Sequence, residues 1–271
     1  MALWIVDSQP AKRLALPGEP IVDVIREAGH EVIEVLYDPQ NSGFPQALLP
    51  TLQSPRAMLL RGSVGFAAWA HDNSPIHPGA FRSELLSPTA YLPAYGDLAL
   101  NWEATTMVYG DFIVRRAEYE NLLGGTLFLK PAGGGKLLSG TILEAGHTLF
   151  DAHYAQHRRW TPIPDDFPIL VARAHMLRAE WRFVITGERV AARSLYKIGR
   201  GDVTCPEAPA EAEALAERIA RHSWRPTEVF VADIAETEDS FRLLELNTFG
   251  TSGLYACDLE AVVQAVSSYA Q

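Results

Sequence analysis

The chain has 271 residues, 48% hydrophobic and 21% charged, which is globular composition with length for about two domains and a sizeable core. Its 23 Lys and Arg against 33 Asp and Glu leave a net charge of −10, which would repel a phosphate backbone and argues against a nucleic-acid partner. No apolar run approaches about 18 residues, so a membrane-spanning helix is excluded and no membrane partner is expected.

Ala2 to Val6 reads as a short buried strand. It meets Asp7 after too short an apolar stretch, and without a basic leader, for a signal peptide to be expected. Ile21, Val24, Ile25 and Ala28 recur at helical spacing, with Gly29 as a stop. Val32–Leu36 and Ala57–Leu60 complete a strand–helix–strand rhythm that predicts a parallel α/β layer. Asp7-Ser8-Gln9-Pro10 stands where a dinucleotide fold would need GxGxxG. Arg61-Gly62-Ser63 follows the third strand, at the end where parallel sheets bind ligands. Arg61 and Ser63 are therefore candidates for holding a carboxylate substrate, with a plain tight turn as the alternative.

Phe66 to Asn101 is rich in Pro, Gly, Ser and Ala and reads as loops and a connector. The expected division is an N-terminal domain over 1–100 and a second domain over 101–271. Asp111–Leu123 has helical periodicity, and Thr126–Lys130 is strand-like. Lys130 is followed by Pro131 and then Ala132-Gly133-Gly134-Gly135-Lys136, backbone that can fold closely over phosphates while Lys136 adds charge. As a P-loop it fails, because Lys130 replaces the first glycine and Leu137 the Ser or Thr that holds Mg²⁺. A flexible hairpin tip is the plainer alternative. His153 and His157 are four apart without an HExxH context, which fits an exposed helical face. Ile169–Ala172 is strand-like, and Cys205 and Cys257 lack CxxC spacing, as suits a reducing cytoplasm. Neither Gly62–Gly65 nor Gly250–Gly253 has the spacing of a nucleophile elbow.

Two hairpins carry the charged candidates. Trp181–Ile185 and Val190–Ser194 flank a two-residue Gly187-Glu188 turn, a register that sets Arg182 opposite Arg193. Like charges across a strand pair repel, and a shared phosphate would relieve them, unless Glu180 or another acid neutralises the cluster. Pro209–His222, Ala- and Glu-rich, is the helix between the hairpins. The second hairpin joins Glu228–Ala235 to Phe241–Asn247. A three-residue loop at Glu238-Asp239-Ser240 would set Asp233 opposite Glu245 and Val231 opposite Asn247. Asp233, Glu245 and Asn247 would then form a hard oxygen set suited to Mg²⁺, with a solvated strand face as the alternative.

The order of strand, lysine, Gly-rich loop, strand and two hairpins resembles the ATP-grasp superfamily. The residues that carry it are Phe128-Leu129-Lys130-Pro131, Glu180-Trp181-Arg182, Arg193, Asp233 and Glu245-Leu246-Asn247. The pattern is most similar to a clade marked by paired arginines and a lysine. It departs from the family's better-known ligases in that the glycine loop follows the lysine almost at once. The resemblance implies a mixed α/β fold, an N-terminal parallel layer followed by antiparallel sheets with helices. It implies ATP and Mg²⁺ as cofactors, with Lys130 on the phosphates and Lys136 beside it. Ala172 would lie in the strand that holds adenine through its backbone, and Glu180 would reach the ribose or the base. Asp233, Glu245 and Asn247 would hold Mg²⁺, while Arg182 and Arg193 clamp the transferred phosphoryl. The implied reaction joins a carboxylate to an amine through an acyl phosphate, on peptide or small-molecule substrates. A kinase on the same scaffold and a catalytically silent ATP-binding module are the rival readings.

Overall fold

The computed structural model describes residues 1–8, 21–38, 45–73, 84–133, 137–157 and 160–270. The N-terminal layer runs β1 (Leu3–Asp7), α1 (Ile21–Glu27), β2 (Glu31–Val35), α2 (Leu49–Leu52), β3 (Met58–Arg61) and α3 (Val64–Asn73). Its strands form a parallel sheet in the order β2-β1-β3, as the strand–helix–strand rhythm predicts. Every residue of β1 is buried, because the central strand of such a layer is covered on both faces. The helix α3 falls where loops are expected. Its apolar residues are small and spread around the cylinder, so they leave no periodic signal; Ser63 nevertheless caps it, and Phe66, Ala67 and Ala70 are buried.

The next stretch comprises α4 (Pro88–Tyr95), β4 (Thr105–Val108), α5 (Tyr109–Leu123), β5 (Leu127–Pro131), β6 (Thr141–Leu143), α6 (Leu149–His157) and β7 (Pro168–Arg173). α4 also lies in the expected connector, started by Pro88, whose fixed φ suits a first helical turn. The strands make an antiparallel sheet in the order β4-β7-β5-β6. Alternation along β5 and β7 sends Leu127, Leu129, Ile169 and Val171 into a core with Phe112 and Tyr119 of α5. α5 stops at Gly124, whose φ of 89° is the left-handed conformation that glycine adopts freely. His153 is buried and meets the Trp160 ring edge-on at 5.7 Å, so the exposed face expected for it is corrected.

The remainder is β8 (Ala179–Thr186), β9 (Arg189–Ile198), β10 (Gly201–Cys205), α7 (Ala210–Ala220), β11 (Val229–Glu236), β12 (Phe241–Thr248) and α8 (Leu259–Ser267). Its antiparallel sheet is ordered β10-β9-β8-β11-β12. On one face Val184, Ala192, Val229 and Val231 share a core with Trp4, Val6 and Leu59 of the N-terminal layer and with Val262, Val263 and Val266 of α8. Trp4 adds a 3.0 Å hydrogen bond from Nε1 to Ser267 Oγ. Shared burial groups the chain otherwise than at the expected break near residue 100. One compact unit is Met1–Ser83 with Arg178–Gln271, the other Glu84–Leu177. Among the described residues, no helix is long and apolar enough to cross a membrane.

Candidate nucleotide and metal site

The C-terminal hairpin of the five-stranded sheet brings the acidic candidates together. Asp233 pairs with Glu245 and Val231 with Asn247, as the alternation predicts. The turn that achieves this differs from the expected three-residue loop. Glu236 pairs with Phe241 around the four residues Thr237–Ser240, and a bulge at Leu244 supplies the compensating offset. Asn247 Nδ2 donates to Asp233 Oδ2 at 3.0 Å and to Glu245 Oε1 at 2.9 Å. A neutral amide thus sits between two carboxylates.

The neighbouring strand supplies the cation. Arg182 lies directly across from Asp233 and grips it as a fork, Nε to Oδ1 at 2.8 Å and Nη2 to Oδ2 at 2.7 Å. Its Nη1 donates to the carbonyl of Gly253 at 3.0 Å. The guanidinium carbon stands 5.2 Å from the Tyr196 ring and 5.1 Å from the Tyr255 ring. A guanidinium has five N–H donors, and these bonds use three, leaving two without a partner among the described residues.

Arg193 is a correction. The expected register set it opposite Arg182, and the turn itself agrees, with Thr186 paired to Arg189 and Gly187 at φ 58°. A bulge then makes Ala191 the extra residue, so Arg182 meets Ser194 and Arg193 meets Phe183. One residue of slip turns a side chain to the other face of the sheet. Arg193 accordingly pairs with Glu213 of α7 at 2.6 Å, both partly exposed.

Charges around the fork set its protonation. Burial pushes the Asp233 carboxyl up to about 6; the Arg182 charge opposes this, and Glu245 and Glu180 add to it. Burial alone would lower Arg182, but the Asp233 carboxylate holds it above its ordinary value, so it stays charged. Tyr196 is raised far above its usual range by burial and by the Asp233 and Glu180 charges, so its hydroxyl remains a donor, to Glu180 Oε2 at 2.6 Å. Glu180 also takes Lys197 Nζ at 3.0 Å, which spends it on protein groups and weakens the ribose or base role the resemblance implies.

The donor chemistry here fits Mg²⁺. Among the described residues no group of three or more His, Cys, Asp and Glu is placed to cage a metal. Two carboxylates and an amide instead match an ion that takes part of its shell from phosphates and water. With three hydrogen bonds on Asp233, one of its roughly four lone-pair sites remains, so Glu245 and Asn247 are the stronger ligands.

The other candidates lie elsewhere. Arg61 is buried, with Nη1 on the carbonyl of Phe249 at 2.8 Å and Nη2 on that of Ser252 at 2.9 Å. Ser63 Oγ donates to Asp7 Oδ2 at 2.8 Å. Both side chains thus tie β3 to protein partners rather than presenting themselves to a substrate. Lys130 and Ala172 belong to the four-stranded sheet, where pairing of Phe128 with Ala172 and Lys130 with Leu170 puts them on the face away from the α5 core. Lys130 Nζ reaches Tyr91 Oη at 3.4 Å. Lys136, Gly134 and Gly135 lie outside the described residues. Sequence reasoning missed Tyr196, Lys197, Gly253 and Tyr255; the first two adjoin a bulge, and nothing in the pattern after Asn247 marks the last two.

Solved structures resemble this fold over nearly its whole length. An ATP-grasp RimK domain protein from Sphaerobacter thermophilus DSM 20745 matches with TM-score 0.60 and 19% identity, covering 99% of each chain. The ATP-grasp ligase PsnB, complexed with a minimal precursor, gives 0.59 and 16% over 99% of each chain. The D-alanine–D-alanine ligase of Bacillus anthracis gives 0.58 and 12%, over 99% of this chain and 92% of that one. No curated protein sequence matches. The model of an ATP-grasp domain, family 3 of the clade named for two arginines and a lysine, matches residues 63–266, and the chain belongs to that family.

Proposed function

We propose that the protein is an ATP-dependent ligase that joins a carboxylate to an amine and releases ADP and phosphate. The observation that carries this reading is the Arg182–Asp233 fork beside Glu245 and Asn247. It sets a desolvated guanidinium with two remaining N–H donors next to a hard oxygen set. Phosphoryl transfer asks a protein for positioning and for stabilisation of charge spreading over the phosphoryl oxygens. Arg182 does the second, aimed by Asp233 and Gly253. Glu245 and Asn247, with the last lone pair of Asp233, hold Mg²⁺, which when bound neutralises phosphate charge. Lys130 contacts the phosphates, and the backbone near Ala172 takes the adenine; β4 pairing ends at Val171, so that strand edge is open to a ligand.

In the first step a carboxylate oxygen of the substrate attacks the γ-phosphorus, and the bond to ADP breaks. In the second the amine nitrogen attacks the acyl carbon, phosphate leaves, and the amine proton passes to solvent. No protein nucleophile is required. Arg193, turned to the opposite face and paired with Glu213, is given no part in these steps. Amino acids and short peptides are the proposed substrates, supported by neighbours whose names specify a D-alanine–D-alanine ligase and a ligase with a precursor peptide. An ADP-release screen over amino acids and short peptides with Mg²⁺, run beside Asp233→Ala, tests this. The reading expects substrate-dependent ADP and phosphate with an amide product, all lost in the variant. ADP release with a stably phosphorylated product would make the protein a kinase, and Mg·ATP binding with no turnover would make it a silent module.

A further inference from the structure

Tyr255 is the one non-glycine residue with positive φ among the described residues, at 51°. It sits in a turn closed by Cys257 N donating to Leu254 O at 2.9 Å, at the position where glycine is the ordinary occupant. Such an outlier persists only when its surroundings over-determine it. Core burial does not do so here, because Tyr255 is 47% exposed. Its ring does have a specific setting. It stacks on Tyr196 at 5.1 Å and 9°, and lies 5.1 Å from the Arg182 guanidinium carbon. The turn is pinned on both sides, by Gly253 O accepting from Arg182 and by Ala256 N donating to Ser194 Oγ at 3.1 Å. Ser194 stands across the strand from Arg182, so both anchors and the ring converge on one side chain.

We infer that Tyr255 is a positioning residue, holding the Arg182 guanidinium where its remaining N–H donors meet a phosphoryl oxygen of the nucleotide. The inference rests on the function proposed above. The backbone conformation is the cost of bringing an aromatic ring to this place. Glycine would relax the backbone and remove the ring, which separates the positioning role from a structural one.

The test measures Kd for Mg·ADP and Mg·AMPPNP in the full chain, because their ratio isolates the terminal phosphoryl group and needs no knowledge of the acceptor. Tyr255→Phe keeps the ring and should keep the wild-type ratio. Tyr255→Gly should lower it by about fivefold, the size of a cation–π contact, with Mg·ADP affinity within about twofold and an equal or higher thermal midpoint. An unchanged ratio in Tyr255→Gly overturns the inference, and so does a parallel fall of both affinities with a lower midpoint. Arg182→Ala is the control. If it leaves the ratio intact, or the wild type shows no preference for the longer nucleotide, the proposed function fails first and takes the inference with it.

Discussion

Two arginines on one hairpin, Arg182 and Arg193, meet opposite fates. Arg182 is desolvated, forked onto a fully buried aspartate and flanked by two tyrosine rings. Arg193 reaches an exposed partner on a helix, with side-chain exposures of 44% and 40% for the pair. The difference arises from one extra residue in β9, and it changes what each charge is worth. A buried pair broken on one side leaves an uncompensated charge in low dielectric, whereas an exposed pair exchanges little with water. Proximity in sequence therefore says little about shared chemistry. The face of the strand decides it.

The largest effect should come from removing the buried acid. Asp233→Ala leaves Arg182 unpaired and should cost about 3–5 kcal/mol of unfolding free energy by denaturant titration, and nucleotide turnover with it. Arg182→Lys comes next. Lysine keeps the charge but has no fork, so turnover should fall by about 10²–10³ while KM for ATP moves much less. A smaller effect is a pH dependence of stability. The Asp233 carboxyl titrates at about 6 when folded, against an ordinary value of 3.8. Its contribution is therefore fully present below the ordinary carboxylate range and is lost as pH rises through about 6. Unfolding free energies measured across that window should show this slope in the wild type and not in Asp233→Asn. At the small end, Arg193→Ala should change stability by no more than about 1 kcal/mol and leave turnover unchanged. A turnover loss matching that of Arg182→Lys would erase the contrast between the two arginines.

The legible parts of the fold were those with a clean period. β1 is a short apolar run, α5 ends at a double glycine, and Asp233, Glu245 and Asn247 fall on one face by simple alternation. Bulges broke the reading where no glycine announced them. Val190-Ala191-Ala192 gives no hint that Ala191 is the extra residue, and Leu244 conceals another. In the second hairpin the bulge and a longer turn cancel, so the expected pairing holds for a different reason. In the first hairpin nothing cancels, and Arg193 is displaced. The helices α3 and α4 were invisible because Ala- and Pro-rich segments lack apolar period, although Ser63 and Pro88 are ordinary start signals. Arg61 read as a ligand because it ends a parallel strand; its burial against the carbonyls of Phe249 and Ser252 is a long-range contact that no local pattern encodes. Tyr255 left no signal at all, since its conformation follows from neighbours brought in by the fold.

The central claim is that Glu245 and Asn247, beside the Arg182–Asp233 fork, hold the metal of a metal–nucleotide complex. Calorimetric titration of ADP with and without Mg²⁺, in the wild type and in Glu245→Gln, addresses it without any acceptor substrate. The account predicts Mg²⁺-dependent ADP binding in the wild type and loss of that dependence in the variant. Wild-type binding indifferent to Mg²⁺, or a variant that keeps the full dependence, would contradict it.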